Sequence, residues 1–93
     1  MEFEWDDDKA ASNEAKHGVS FPEAQTVFAD PSALTGYDPD HSDEEDRYIT
    51  MGTSLEGRLL VRSHTDRDNR VRIISAREAS RRERKDYEDG SFP

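Results

Sequence analysis

The stretch Arg58–Arg77, RLLVRSHTDRDNRVRIISAR, decides the fold. Arg58 to Thr65 and Arg70 to Ser75 are rich in Val, Ile and Leu with polar residues interleaved, the pattern of two strands. Asp66 to Asn69 supply turn residues between them, so an antiparallel hairpin is expected. Side chains alternate across a strand, and the register decides which sets combine. Pairing Ser63 with Ile73, His64 with Arg72 and Arg62 with Ile74 collects Leu59, Val61, Val71 and Ile73 on a core side. The same register gathers Arg62, His64, Arg70 and Arg72 on an exposed side. A slip of one residue would set arginines opposite valines, which burial disfavours. The hairpin therefore predicts a wet, basic face around one imidazole.

The rest of the chain is arranged around this hairpin. Phe3-Glu4-Trp5 alternates like a short strand. Asp6 to Asp8 offer a helix start, and Gly18 a stop, with Lys16 and His17 in the last turn. Ser20-Phe21-Pro22-Glu23 fits a capping box, opening a second helix that ends at Asp30-Pro31. Ala33–Tyr37 and Arg47–Thr53 read as strands, joined by the acidic segment Asp38–Asp46, which reads as a mobile loop. Ser75-Ala76-Arg77-Glu78 reads as another capping box, starting a charged helix that runs to about Asp89. On that helix Arg77, Arg81 and Arg84 are spaced along one face. The order β-α-α-β-β-β-β-α predicts an α+β domain over residues 1–90: an antiparallel sheet with two N-terminal helices and one C-terminal helix. Residues 91–93 are expected to form a loose tail.

Composition narrows the function classes. Only 31% of the 93 residues are hydrophobic and 38% are charged, so the core is thin and a partner chain is a natural source of added stability. The absence of cysteine excludes disulfides and thiolate zinc sites. His17, His41 and His64 are too far apart in sequence to form a metal motif, and no cofactor is implied. No apolar run approaches the ~20 residues that span a bilayer, and the first residues do not read as a signal peptide. The expectation is a cytoplasmic protein that does not engage membranes. The net charge of −9 is unevenly distributed. Residues 1–50 carry three basic and fourteen acidic side chains, whereas Arg58–Lys85 carries ten basic and four acidic ones. A polyanionic or acidic partner for the second half would account for this, as would a solvated surface of alternating charge.

Histidine with arginines suits RNA phosphodiester cleavage. RNA carries its own nucleophile, the 2′-hydroxyl, so no metal is required. An imidazole moves protons near neutral pH, and guanidinium forks match phosphate oxygens. On this reading His64 is the general acid or base, and Arg72 and Arg77 hold the scissile phosphate. Lys16, His17, Arg62, Arg70, Arg81 and Arg84 track the RNA backbone. Each has a plainer alternative: a surface histidine for His64, dipole compensation at the helix end for His17, and a salt bridge to the acidic first half for Arg77. His41, among aspartates, reads as a solvated loop residue. Trp5 reads as core.

Two segments carry a family resemblance. Trp5-Asp6, Lys9, Asn13 and Lys16-His17-Gly18 near the start, with Ile73-Ile74-Ser75-Ala76-Arg77, Glu83 and Tyr87-Glu88 near the end, resemble the BrnT family of type II toxins from Phe3 to Glu88. The resemblance implies a RelE-like fold of helices on an antiparallel sheet. It also implies growth inhibition by RNA cleavage and a ribbon-helix-helix antitoxin, BrnA, whose DNA-binding part brings the complex to its own operator. It makes Lys16, His17 and Arg77 active-surface positions. The acidic segment Asp38–Asp46 and a pI of about 4.7 are unusual for an RNA-binding enzyme. They keep a second reading open, a catalytically inactive module that binds an antitoxin and acts as co-repressor. A DNA-binding regulator acting alone is disfavoured by the net charge and the lack of a helix-turn-helix pattern.

Overall fold

The computed structural model describes residues 2–91. Strand β1 (Glu2–Glu4) leads into helix α1 (Asp7–His17) and the short helix α2 (Phe21–Gln25), which tightens into a 3₁₀ turn over Thr26–Ala29. Strand β2 (Leu34–Tyr37) and a second 3₁₀ turn (Pro39–His41) precede β3 (Arg47–Thr53), β4 (Leu59–Arg67), β5 (Arg70–Glu78) and helix α3 (Arg81–Asp89). The sheet order is β1-β5-β4-β3-β2. Four strands form the expected antiparallel meander, and β1 is added parallel to β5. The sheet is therefore mixed: α1, α2 and strands β2 to β4 intervene between its two parallel strands.

Local signals place the first two helices. The Asp6 side chain accepts from the Asp8 amide at 2.8 Å, and Gly18 closes α1 in the left-handed region at φ 69°. Ser20 caps α2 by accepting from the Glu23 amide. One covered face of the sheet packs on these helices. Val19, Phe21, Ala24, Val27, Leu60, Ile73 and Ala76 form its buried cluster, bordered by Phe3 and Trp5. Trp5 packs edge-on to Phe21, as a core residue would. A second, smaller cluster of Met51, Leu59 and Val61 lies under Ala79 and Tyr87.

Three expectations are corrected. First, Arg67 pairs with Arg70, Thr65 with Arg72 and His64 with Ile73; a bulge follows, after which Ser63 pairs with Ser75, Arg62 with Ala76 and Val61 with Arg77. The pairing is thus one residue off the expected register near the turn and two beyond the bulge, where Arg77 comes to lie opposite Val61. It is tolerated because both faces are partly covered: α3 shelters Leu59 and Val61, while Arg62 and His64 lie on the α1/α2 side with Ile73. Second, Ser75–Glu78 remains in β5, because this segment is paired to β4 as far as Leu60. Helix α3 begins five residues later than the first Ser-x-x-Glu pattern implies, under the capping box of Ser80 and Glu83. Arg77 is therefore a strand residue and shares no helical face with Arg81 and Arg84. Third, the acidic loop is pinned. Asp38 N donates to Arg47 O at 2.9 Å, Arg47 N to Ser42 Oγ at 2.9 Å, and Thr65 Oγ1 to Asp46 O at 2.8 Å. At the other end, the Gly90 turn and a bond from the Ser91 amide to Asp86 O close α3; Phe92 and Pro93 of the expected tail lie outside the described residues.

Candidate active site

The predicted basic face separates into three groups. Arg62 and His64 are buried, at 4% and 6% exposure. Arg62 lies over the Phe3 ring, 5.4 Å from its centroid, and donates to Ala24 O at 3.3 Å. Burial lowers its pKa to about 10. His64 stacks on Tyr48, and its Nε2 is 2.7 Å from Thr50 Oγ1. Burial, aided by the Arg62 charge, lowers its pKa to about 4. Neither residue can reach a bound RNA, so the two central members of the expected constellation are core residues.

Arg70 and Arg72 are on the opposite, open face, where carboxylates occupy them. Arg70 Nε donates to Glu2 at 3.1 Å and Arg72 Nη1 to Glu4 at 3.0 Å, across the parallel β1–β5 pairing. The Arg72 hydrogen bond holds the Glu4 carboxyl below its ordinary range. Arg67 takes Glu45 from the acidic loop in the same way, with Nε donating at 2.7 Å. Arg58 binds the buried Glu23, whose carboxylate also accepts from Ser54 Oγ at 2.8 Å. Much of the basic stretch therefore serves as counterion to acidic residues, mostly of the first half. This overturns the expectation of one convergent RNA face built on Arg62, His64, Arg70 and Arg72.

What remains is a cleft of about 290 Å³ near the middle of the open face, lined by Asp38, His41, Arg47, Ile49, Val61, Ser63, Ser75 and Arg77. Each side chain has a local reason to be there. Ser63 and Ser75 are cross-strand partners just beyond the bulge, and Arg77 is two residues further along β5. Arg47 opens β3, opposite Thr65. Asp38 and His41 hang over the floor from the pinned loop. Arg77 makes a two-pronged contact with Glu83, Nη1 to Oε1 at 2.7 Å and Nη2 to Oε2 at 2.9 Å. These bonds lower the Glu83 pKa to about 2. Arg77 Nη1 also donates to Glu78 O, which leaves the Nε–H and one Nη2–H without a partner among the described residues. Arg47 has no carboxylate at ion-pair distance among them. His41 Nδ1 is 2.9 Å from Asp38 Oδ2.

Of the predicted residues, Arg77 is the one in this cleft. Lys16 and His17 line a neighbouring cleft between α1 and the bulge, with Asn13, Ile74 and Ser75; Ser75 belongs to both. Arg81 and Arg84 are exposed on α3. Arg47, Ser63 and Ser75 are not site candidates in the sequence reading, and His41 reads there only as a solvated loop residue. For Ser63 and Ser75 the signal was the pairing register, which the sequence reading set two positions off beyond the bulge.

A family model described as "Ribonuclease toxin, BrnT, of type II toxin-antitoxin system" matches residues 5–83. No curated protein sequence matches the chain. Among solved structures, the fold is similar to that of the Brucella abortus ribonuclease toxin BrnT, with a TM-score of 0.64 at 23% identity, over 87% of this chain and 99% of that one. The bulged meander β2–β5, the Asn13 and Lys16-His17 positions of α1 and the Ser75-Ala76-Arg77 segment all fall inside the matched residues, and on that match the chain belongs to the BrnT family of type II toxin–antitoxin ribonucleases.

Proposed function

We propose that this chain is an endoribonuclease toxin that cleaves RNA without a metal ion and binds the scissile phosphate in the cleft around Arg77. The observation that carries this reading is the meeting of Arg77, Arg47, Ser63 and Ser75 in one open cleft, in a chain of a ribonuclease family. Attack of the 2′-hydroxyl oxygen on phosphorus breaks the P–O5′ bond, leaving a 2′,3′-cyclic phosphate and a 5′-hydroxyl. The charge that gathers on the phosphorane is stabilised by the two open N–H donors of Arg77 and by Arg47. Glu83 holds the Arg77 fork rigid, so little reorganisation is needed at the moment of reaction. The shared position of Ser75 continues the track toward Lys16 and His17, and Arg81 and Arg84 are candidates for further backbone contacts. The partner is an antitoxin of the ribbon-helix-helix BrnA kind, through which the complex reaches operator DNA.

Purified protein should cleave RNA equally in the presence and absence of EDTA. Arg77→Ala should lower cleavage on the order of 10²-fold, the usual effect of losing one charge-stabilising donor. Arg72→Ala should change it little, because Arg72 is committed to Glu4. Cleavage abolished by EDTA, or undiminished in Arg77→Ala, would remove the proposal. The pairing of Arg70 and Arg72 with Glu2 and Glu4 favours a second reading, an inactive co-repressor module. Expression of the chain alone separates the two: growth arrest supports the toxin, and normal growth the co-repressor.

A further inference from the structure

We infer that His41, oriented by Asp38, is the group that takes the proton from the attacking 2′-hydroxyl. This deepens the ribonuclease reading and rests on it. The acidic segment does not behave as loose chain. The bond from Asp38 N to Arg47 O closes its two ends, Ser42 Oγ bridges Asp38 O at 2.6 Å and the Arg47 amide at 2.9 Å, and Thr65 ties Asp46 to β4. Inside this frame the Asp38 side chain is 13% exposed and the His41 side chain 64% exposed. The carboxylate is thus seated within the loop, and the imidazole stands out over the cleft that Arg77, Ser63 and Ser75 share.

The contact between His41 Nδ1 and Asp38 Oδ2 fixes the chemistry. A carboxylate only accepts, so Nδ1 carries the hydrogen and the neutral ring keeps its lone pair on Nε2. A carboxylate that sets the tautomer and steadies the imidazolium once it forms is the arrangement used for activating a hydroxyl nucleophile. The contrast with His64 is direct: His64 is enclosed and its Nε2 is taken by Thr50, whereas His41 opens onto the cleft that holds Arg77 with N–H donors to spare, and it also borders the acidic cleft of Asp43, Glu44, Glu45 and Arg47. In the step, the 2′-O–P bond forms and the P–O5′ bond breaks. The 2′-hydroxyl proton passes to His41 Nε2, and the departing O5′ takes a proton from water. The imidazolium then returns its proton to solvent. Asp38 touches no reacting atom and is a positioning residue.

The test compares wild type, His41→Ala, Asp38→Asn and Arg77→Ala on a defined single-stranded RNA. Single-turnover cleavage and oligonucleotide binding by fluorescence anisotropy are read side by side, with thermal melts to confirm folding. His41→Ala should cut on the order of 10²- to 10³-fold more slowly, the range for losing a general base, with affinity changed by less than about threefold. Added imidazole should restore at least about a tenth of the lost rate, a readout that a merely structural histidine would not move. Asp38→Asn should slow cleavage about tenfold or more, with affinity unchanged. A His41→Ala protein that cuts like wild type while Arg77→Ala is inactive overturns the role of His41 and leaves the ribonuclease reading standing. A slow His41→Ala protein without imidazole rescue also overturns it. A wild-type protein that cuts no RNA removes both.

Discussion

The imidazole of His64 has one hydrogen-bond partner inside the fold, Thr50, and its Nδ1 has none. Arg62 stands in the same enclosed layer, Tyr48 covers the ring, and the charge of Asp66 acts on Arg62. Protonation would put a second cation beside the first, away from water. The folded pKa is accordingly about 4, below the ordinary value of 6.5. The sign follows: between these two values the unfolded chain binds the extra proton and the folded chain does not. Stability is therefore complete above about pH 6.5 and falls as pH drops toward 4, by up to about 2–3 kcal/mol. Urea melts at pH 7.5 and pH 5 should show this loss, and His64→Gln should lack most of it. The same variant should keep its RNA cleavage, because the side chain does not reach the cleft. A flat pH profile in the wild type would contradict the buried, neutral ring. At this scale the sequence misleads for a definable reason. A histidine among arginines looks wet, and one among aspartates looks inert. Their environments are set by the sheet register and by the folding of the loop, and neither is written near the residue itself.

At the scale of elements, α1 is locked to the sheet by one side chain. Asn13 Nδ2 donates to Val19 O at 3.0 Å and to Ala76 O at 2.8 Å, and its Oδ1 accepts from the Ala76 amide at 3.1 Å. Strand β1 covers β5 only from Arg70 to Arg72, so beyond the bulge Asn13 stands in for the missing neighbouring strand. Asn13→Ala leaves three backbone groups unpaired at a buried position and should destabilise the fold by about 2–4 kcal/mol. Chemical denaturation measures this, and a loss below about 0.5 kcal/mol would mean that water replaces the amide without cost. The helix starts at Asp6 and Ser20 and the stop at Gly18 were legible because caps are local. The boundary between β5 and α3 was not. Ser75–Glu78 and Ser80–Glu83 carry the same capping pattern, and pairing with β4 suppresses the first. The hairpin register was also beyond local reading. It assumed one wet face, whereas α3 covers Leu59 and Val61 on one side and Phe3 covers Arg62 on the other. The strand count, the α+β class and the family motifs survived these errors because they depend on composition and spacing within each segment, not on which face a segment presents.

Across the whole molecule, charge is organised by pairing. The acidic first half supplies Glu2, Glu4, Glu23 and Glu45 to Arg70, Arg72, Arg58 and Arg67. The concentration of arginine in the hairpin is thus mainly an answer to carboxylates within the same chain. Among the described residues, Lys9, Lys16, Arg47, Arg81, Arg82 and Arg84 have no ion-pair partner, and Arg77 has donors left over. A chain with a net charge of −9 gains little long-range attraction for a polyanion. Its affinity for RNA must come from the few cations along the proposed track, with Arg47, Arg77 and Lys16 the most direct. Three neutralised phosphates on a single strand give a slope of about −2 for log affinity against log salt. Anisotropy titrations of a short single-stranded RNA between about 50 and 300 mM salt should return that shallow value, and Lys16→Ala should reduce the slope by roughly 0.7. Arg70→Ala should leave it unchanged, because Arg70 is shared between Glu2 and Glu4. A slope near −5 would require the paired arginines to leave their carboxylates when RNA binds. Glu2 and Glu4 would then act as a displaceable cover over a wider basic face, and the narrow track through Ser75 would be the wrong geometry for the substrate.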